Sequence, residues 1–212
     1  MGKVNIMLLK MFREMVAEMD IYTNVYVIAD EETKDGIVID PGGAIDKVYN
    51  YIENMQIKLK YIILTHCHAD HIAGLKNLLS YYPKAKVIVH EEDRLGLTDS
   101  SINMCEHVGV PNNFIEADIV VKDMDWIKFG SLAGRIIHTP GHTKGSMCIL
   151  INDALFTGDT LFKRLYGRTD LKTGSEEDME KSISKLLSLP EDTIIYPGHG
   201  AITIVREEKE IY

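Results

Sequence analysis

The sequence predicts an α/β fold in which two packed β-sheets carry helices on their outer faces. Short apolar runs rich in Val, Ile and Tyr, bounded by turn residues, recur along the 212 residues and read as strands. Helical patterns separate these runs early and late in the chain, whereas in the middle strands follow one another as hairpins. An all-parallel doubly wound sheet would need a crossover between every pair of strands, so mixed sheets fit better. No repeat, low-complexity tract or Pro/Gly/Ser-rich linker divides the chain, and 1–212 reads as one domain.

Taken in order, the candidate strands are Ile21 to Ala29, Gly36 to Asp40, Leu59 to Leu64 and Ala85 to Val89. Then follow Ala133 to His138, Met147 to Ile151, Ala154 to Thr157 and Thr193 to Tyr196, with a hairpin turn at Asn152-Asp153. Ile45, Val48, Ile52 and Met55 recur at helical spacing, as do Ile72, Leu75, Leu78 and Leu79, and Met179, Ile183, Leu186 and Leu187. Ser175 followed by Asp178 resembles a capping box, with Glu176 and Glu177 favourable at the positive end of the helix. Met7, Met11, Met15 and Met19 are spaced by four, and the pattern leaves helix or strand open there. The charged tail Arg206 to Glu210 reads as a solvated terminal helix or a frayed end.

Composition narrows the function classes. With 45% hydrophobic and 26% charged residues, the chain can bury a core without disulfides. Cys67, Cys105 and Cys148 are odd in number and far apart, which argues against a secreted disulfide framework. Lys3, Lys10, Arg13, Glu14 and Glu18 interrupt the first apolar residues, so no signal-peptide core forms, and no run is long enough to span a bilayer. The cytoplasm is the expected compartment, with no membrane partner. A net charge of −9 argues against a nucleic-acid partner, since phosphate backbones call for clustered Lys and Arg.

The decisive segment is Thr65-His66-Cys67-His68-Ala69-Asp70-His71, between the strand Tyr61 to Leu64 and the helix carrying Ile72 and Leu75. At this chain's His and Asp frequencies, H-x-H-x-D-H arises by chance in roughly one such sequence in a thousand. Residues two apart in extended chain point the same way, so His66 and His68 can reach one ion together. Asp70 and His71, where the chain turns into the helix, can face a second. Imidazoles and carboxylates suit zinc, iron or manganese. Three glycine-flanked turns beyond strand patterns add Gly141-His142-Thr143, Gly158-Asp159-Thr160 and Pro197-Gly198-His199-Gly200. Cys67 points opposite to its neighbours and reads as core, like Cys105 and Cys148. His90, His107 and His138 keep the ordinary reading of surface or satisfied core residues.

This ordered set resembles the metallo-β-lactamase superfamily, and within it the short glyoxalase II-like branch, from about Asn24 to His199. The resemblance implies an αββα sandwich with a dinuclear site at one edge of its sheets. His66, His68 and His142 would hold the first ion, Asp70, His71 and His199 the second, and Asp159 would bridge them. Two zinc ions are expected, with iron or manganese as alternatives. The reaction implied is hydrolysis of a small-molecule thioester, an S-acyl thiol, by a metal-bridging hydroxide. Asp70 would serve as the catalytic acceptor of its proton.

Full-length glyoxalase II enzymes add a carboxy-terminal helical domain that contacts glutathione, while this chain ends at Tyr212, which leaves the thiol portion open. Gly167-Arg168-Thr169-Asp170 also recurs in that branch. Arg168 reads either as a turn residue paired with a carboxylate or, with Lys163, Arg164 and Tyr166, as a pocket wall that greets an anion. The competing reading is a mononuclear iron persulfide dioxygenase of the same fold, which shares T-H-C-H-A-D-H and G-R-T-D. Those enzymes tend to follow the last His with Asp; here Gly200 follows His199, which favours the hydrolase. Oligomeric state is not legible.

Overall fold

The computed structural model describes residues 7–16, 21–111 and 114–212. Among these, two six-stranded sheets pack face to face. The first sheet lies in chain order: β1 (Met7–Val16), β2 (Ile21–Asp30), β3 (Asp35–Ile39), β4 (Lys58–Ile63), β5 (Lys86–His90) and β6 (Ile119–Val121). Its first two pairings are antiparallel and its last three parallel. The second sheet contains β7 (Trp126–Phe129), β8 (Leu132–His138), β9 (Met147–Ile151), β10 (Ala154–Gly158), β13 (Ile194–Pro197) and β14 (Thr203–Ile204), with only β10 and β13 parallel. A two-stranded ribbon, β11 (Leu161–Phe162) and β12 (Leu165–Tyr166), stands apart from both.

Strand alternation divides the core into three layers. On β2, Tyr26 and Ile28 turn inward to meet Ile136, Ile149 and Phe156 of the other sheet. Val25, Val27 and Ala29 turn outward onto Val48 and Ile52 of α1 (Ile45–Met55) and Leu75 and Leu78 of α3 (Leu75–Tyr81). On the far side, Ile137, Cys148, Leu155 and Ile195 pack beneath Leu186 of α5 (Glu176–Leu187). The helix–sheet–sheet–helix order agrees with the expected sandwich. Among the described residues no helix is long and apolar enough to cross a membrane.

One open segment is decided and two expectations needed adjustment. The segment at Met7 is a strand, paired in register with β2 over its whole length; a spacing of four keeps side chains on one face of a strand as well as near one face of a helix. Met19 lies outside the described residues. The helix expected to run from Ile72 through Leu79 is broken into α2 (Ala69–Ile72) and α3. Gly74 N–H donates to Pro41 O at 2.8 Å, and a Cβ on Gly74 would come within 2.4 Å of Ile45. The chain is pinned there, and the helix restarts. The tail forms α6 (Val205–Lys209), yet Glu208 within it is buried, accepting bonds from Arg164 N–H and the Thr203 hydroxyl. A short helix, α4 (Ser100–Asn103), and a 3₁₀ turn at Glu91–Leu97 fill the connection after β5.

The cap of α5 forms as its sequence predicts: Ser175 is extended, and its hydroxyl accepts from Asp178 N–H at 3.2 Å. Replacing Ser175 with Ala removes that acceptor and costs about 1 kcal/mol. Urea unfolding of the metal-free S175A variant should show a lower midpoint with an unchanged slope; an unmoved midpoint would mean that the cap contributes nothing.

Candidate metal centre

The site lies at the rim where strand ends from the two sheets meet. Past β4 the chain bends at Thr65 and His66, is extended at His68 and enters α2 at Ala69, which brings the donor atoms of His66 and His68 together and puts Asp70 and His71 in the first helical turn. Backbone bonds stitch the rim: Met147 N–H to Thr65 O at 2.9 Å and Asn24 N–H to Gly198 O at 2.8 Å, each joining one sheet to the other. Two glycines are fixed by geometry. Gly158 has φ +47, and a Cβ on it would lie 2.2 Å from the Thr65 hydroxyl. Gly198 passes so close to Asp159 that a Cβ would sit 2.4 Å from Oδ1.

All seven expected residues converge. Donor atoms of His66, His68 and His142 lie within 4.8 Å of one another, and so do those of Asp70, His71 and His199. Between the groups, Asp159 Oδ1 is 3.2 Å from His71 Nε2, while Oδ2 is 3.6 Å from His142 Nε2 and 3.2 Å from His199 Nε2. His68 Nδ1 approaches His142 Nε2 to 2.8 Å, and His71 Nε2 approaches His199 Nε2 to 3.3 Å.

The surrounding hydrogen bonds determine which nitrogens face inward. His142 Nδ1–H donates to Arg168 O at 2.7 Å, His199 Nδ1–H to Tyr22 O at 2.9 Å and His71 Nδ1–H to Asp40 Oδ2 at 2.9 Å. The Thr65 hydroxyl donates to Asp40 Oδ2 at 2.6 Å, so it accepts from His66 Nδ1–H at 3.1 Å. In four imidazoles, therefore, Nδ1 holds the proton against a protein acceptor and Nε2 turns to the centre, the arrangement that metal-ligating histidines use. His66 Nε2 and Asp159 Oδ1 are buried and have no hydrogen-bond partner. Unpaired acceptors are costly inside a protein, and converging lone pairs more so, whereas divalent cations satisfy both. The residues fit a pair of ions.

Electrostatics point the same way. Burial, reinforced by His71 and His142, pushes His66 well below its ordinary range; burial and His142 push His68 down to about 3. Burial lowers His71 too, but Asp70, Asp159 and Asp40 outweigh it and hold His71 well above its ordinary value. At His199 burial is likewise overcome, by Asp159 and Asp70, giving about 10. Burial alone would raise Asp159, yet His199 and His71 draw it well below the usual carboxylate range. Without metal, protons on His71 and His199 take the place of the missing positive charge.

Sequence reasoning missed two buried acids that hold this arrangement. Asp40 accepts from Thr65 N–H, the Thr65 hydroxyl and His71. Asp93 accepts from Cys67 N–H, the Thr143 hydroxyl and Gly145 N–H, tying the first motif to the His142 loop. Burial pushes the Asp93 carboxyl up despite these donors. Asp40 had a signal, the strand-to-turn sequence Asp40-Pro41-Gly42-Gly43; Asp93 had none. Cys67 is buried in the core beneath Gly96, as alternation predicts. His90 and His138 stack on each other at 3.9 Å, and His107 is exposed.

A cavity of about 350 Å³ opens onto the centre, walled by Ala69, Met104, Val108, Phe162, Gly167, Arg168 and Leu171. Arg168 forms the carboxylate pair of the turn reading, bidentate to Asp170 at 2.8 Å, and also lines the cavity. Lys163, Arg164 and Tyr166 do not line it; Lys163 pairs with Glu207, and the Tyr166 hydroxyl donates to Glu176.

Residues 20–199 match the family model for the metallo-beta-lactamase superfamily. The hydroxyacylglutathione hydrolase GloC of Haemophilus influenzae is 34% identical, with 88% of this chain and 89% of that protein covered. Among solved structures, the B3 metallo-beta-lactamase BLEG-1 is similar with a TM-score of 0.86 at 29% identity, covering 96% of this chain and 97% of its own. TTHA1623, in a di-iron-bound form, gives 0.81 at 26% identity, covering 94% and 98%. ETHE1 from Myxococcus xanthus gives 0.75 at 28%, covering 95% and 82%.

Metal uptake should displace protons from His71 and His199, because both must bind as neutral imidazoles. Titrating metal-free protein with Zn²⁺ at pH 8, in buffers of different ionisation enthalpy, should show proton release. Affinity should climb with pH in the range below the His199 value of about 10. A pH-independent affinity would contradict this reading. Asp40→Ala should weaken metal binding by about 10- to 100-fold, as loss of an imidazole's hydrogen-bond partner does.

Proposed function

Because the chain belongs to the metallo-beta-lactamase superfamily, we propose that it is a dimetal hydrolase of S-acyl thiols, a thioesterase of the glyoxalase II type. His66, His68 and His142 would hold one ion and Asp70, His71 and His199 the other, with Asp159 between the two groups; zinc is the assignment, and a relative solved in a di-iron-bound form supports iron as the alternative. The observation that carries the reading is the placement of one buried carboxylate, Asp159, between two three-donor groups at the floor of an apolar-walled cavity. GloC, a named thioester hydrolase of similar length, supports the substrate class.

Bound there, two divalent ions would bring the pKa of a water to about 7 and polarise an acyl carbonyl. The chain's own residues do the rest. Burial raises the Asp70 carboxyl, but His71 and His199 more than offset it and hold it at about 2. Asp70 is consequently ionised at neutral pH, and its Oδ2 is fixed by His199 Nε2 at 3.1 Å and the Thr23 hydroxyl at 3.3 Å. It accepts a hydrogen bond from the attacking water and orients it rather than storing its proton. A thiol leaving group, with a pKa of about 8.5, departs with little acid assistance. No cysteine nucleophile is required: the Cys67 thiol faces the core, and burial raises its pKa well above the ordinary value.

Purified protein loaded with metal should cleave members of a panel of S-acyl thiols, S-lactoylglutathione among them, under nitrogen. Asp70→Asn should lower kcat by about 10²-fold or more, while Cys67→Ala should retain both ions, read by elemental analysis. Oxygen uptake with glutathione persulfide, iron at one per chain and intact thioesters would overturn the hydrolase in favour of the dioxygenase.

A further inference from the structure

The cavity wall carries information about the substrate that the donor set does not. Met104 and Val108 come from the segment after α4, Phe162 from β11, and Leu171 from the turn before α5. Together with Ala69 they form a continuous apolar surface above the donors, and Phe162 sits edge-on to the His199 ring at 5.8 Å. Among the described residues lining the cavity, Arg168 is the only Lys or Arg, and its Nε and one Nη already donate to the Asp170 carboxylate. The nearby lysines are engaged elsewhere, Lys163 with Glu207 and Lys172 with the Ser101 hydroxyl. The protein as a whole carries a net charge of −9.

A glutathione conjugate brings two carboxylates and an ammonium. A carboxylate placed against this apolar wall would lose hydration, while the one side-chain cation there, Arg168, already pairs with Asp170, and such burial costs several kcal/mol. An alkyl chain gains instead, by about 0.8 kcal/mol for each methylene removed from water. Resting on the thioesterase reading above, we propose that the site selects S-acyl thiols with an uncharged, apolar acyl chain seated among Met104, Val108, Phe162 and Leu171. In the reaction water adds to the acyl carbon, the C–S bond breaks, and a carboxylic acid and a free thiol leave. The multiply charged S-lactoylglutathione is then a poor substrate of this chain.

The test compares S-acetyl-, S-butanoyl- and S-hexanoyl-N-acetylcysteamine with S-lactoylglutathione on the metal-loaded enzyme. The value of kcat/KM should rise about fourfold per methylene, the factor equivalent to about 0.8 kcal/mol, and hexanoyl should exceed lactoylglutathione. Leu171→Asp should flatten the chain-length series, and Val108→Ser should do so in part should the Asp variant fail to fold. A flat series, or lactoylglutathione preferred, would overturn the inference and leave the thioesterase standing. If no thioester is cleaved, the thioesterase reading falls, and binding of the thioethers S-hexyl- and S-methyl-N-acetylcysteamine, read by calorimetry, decides the rest: preference for hexyl sustains the apolar wall, and equal binding removes it.

Discussion

Two sheets packed face to face leave one rim where strand ends from both converge, and there the chain buries groups that resist being buried together. Asp70 and Asp159 lose hydration, and the ring nitrogens of four imidazoles face one another in pairs, His68 with His142 at 2.8 Å and His71 with His199 at 3.3 Å. Such a cluster is tolerable only if its geometry is held from outside and its charge is balanced from within. Holding falls to Asp40 and Asp93, which anchor the backbone at Thr65 and Cys67, on either side of His66. Balance falls to protons on His71 and His199, or to cations that displace them.

The same constraint explains why the loops are short and glycine-lined. A side chain reaches a shared centre from four separate strand ends only if each backbone approaches closely, and Gly198 and Gly158 sit where a methyl group would strike Asp159 and Thr65. The sandwich contributes rigidity: loops stitched across the rim by Thr65 O and Gly198 O inherit the stiffness of both sheets.

Much of this was legible in the sequence because function and fold used the same signals. The eight strands with the densest apolar runs were readable, and so were the His and Asp turns beyond four of them. What escaped notice had weaker patterning. β6 presents Ile119 and Val120 to solvent, and β7 spans four residues whose exposed positions include the apolar Trp126, so neither shows a clean apolar–polar alternation in sequence. Methionines spaced by four on β1 satisfy both periodicities. Asp93 lies in a run of charged residues, Glu91-Glu92-Asp93-Arg94, and only folding reveals that one of them points inward. The cavity wall was least legible of all, because Met104 and Val108, Phe162, and Leu171 come from three separate segments and share no motif.

The clasp on the last histidine has a consequence for assembly. Asn24 and Tyr26 of β2 bond to the carbonyls of Pro197, Gly198 and Gly200, so the His199 loop is seated by residues from the opposite end of the chain. Proteins are synthesised from the amino terminus, and early segments fold first. On the ribosome, His66, His68 and His142 emerge well before β13, and they can draw together while the other group still lacks its third member. Only when β13 arrives to lie beside β10, and β2 captures its end, is that group complete. A nascent chain thus offers its two halves of the centre in a fixed order, and an ion that arrives early meets the three imidazoles first.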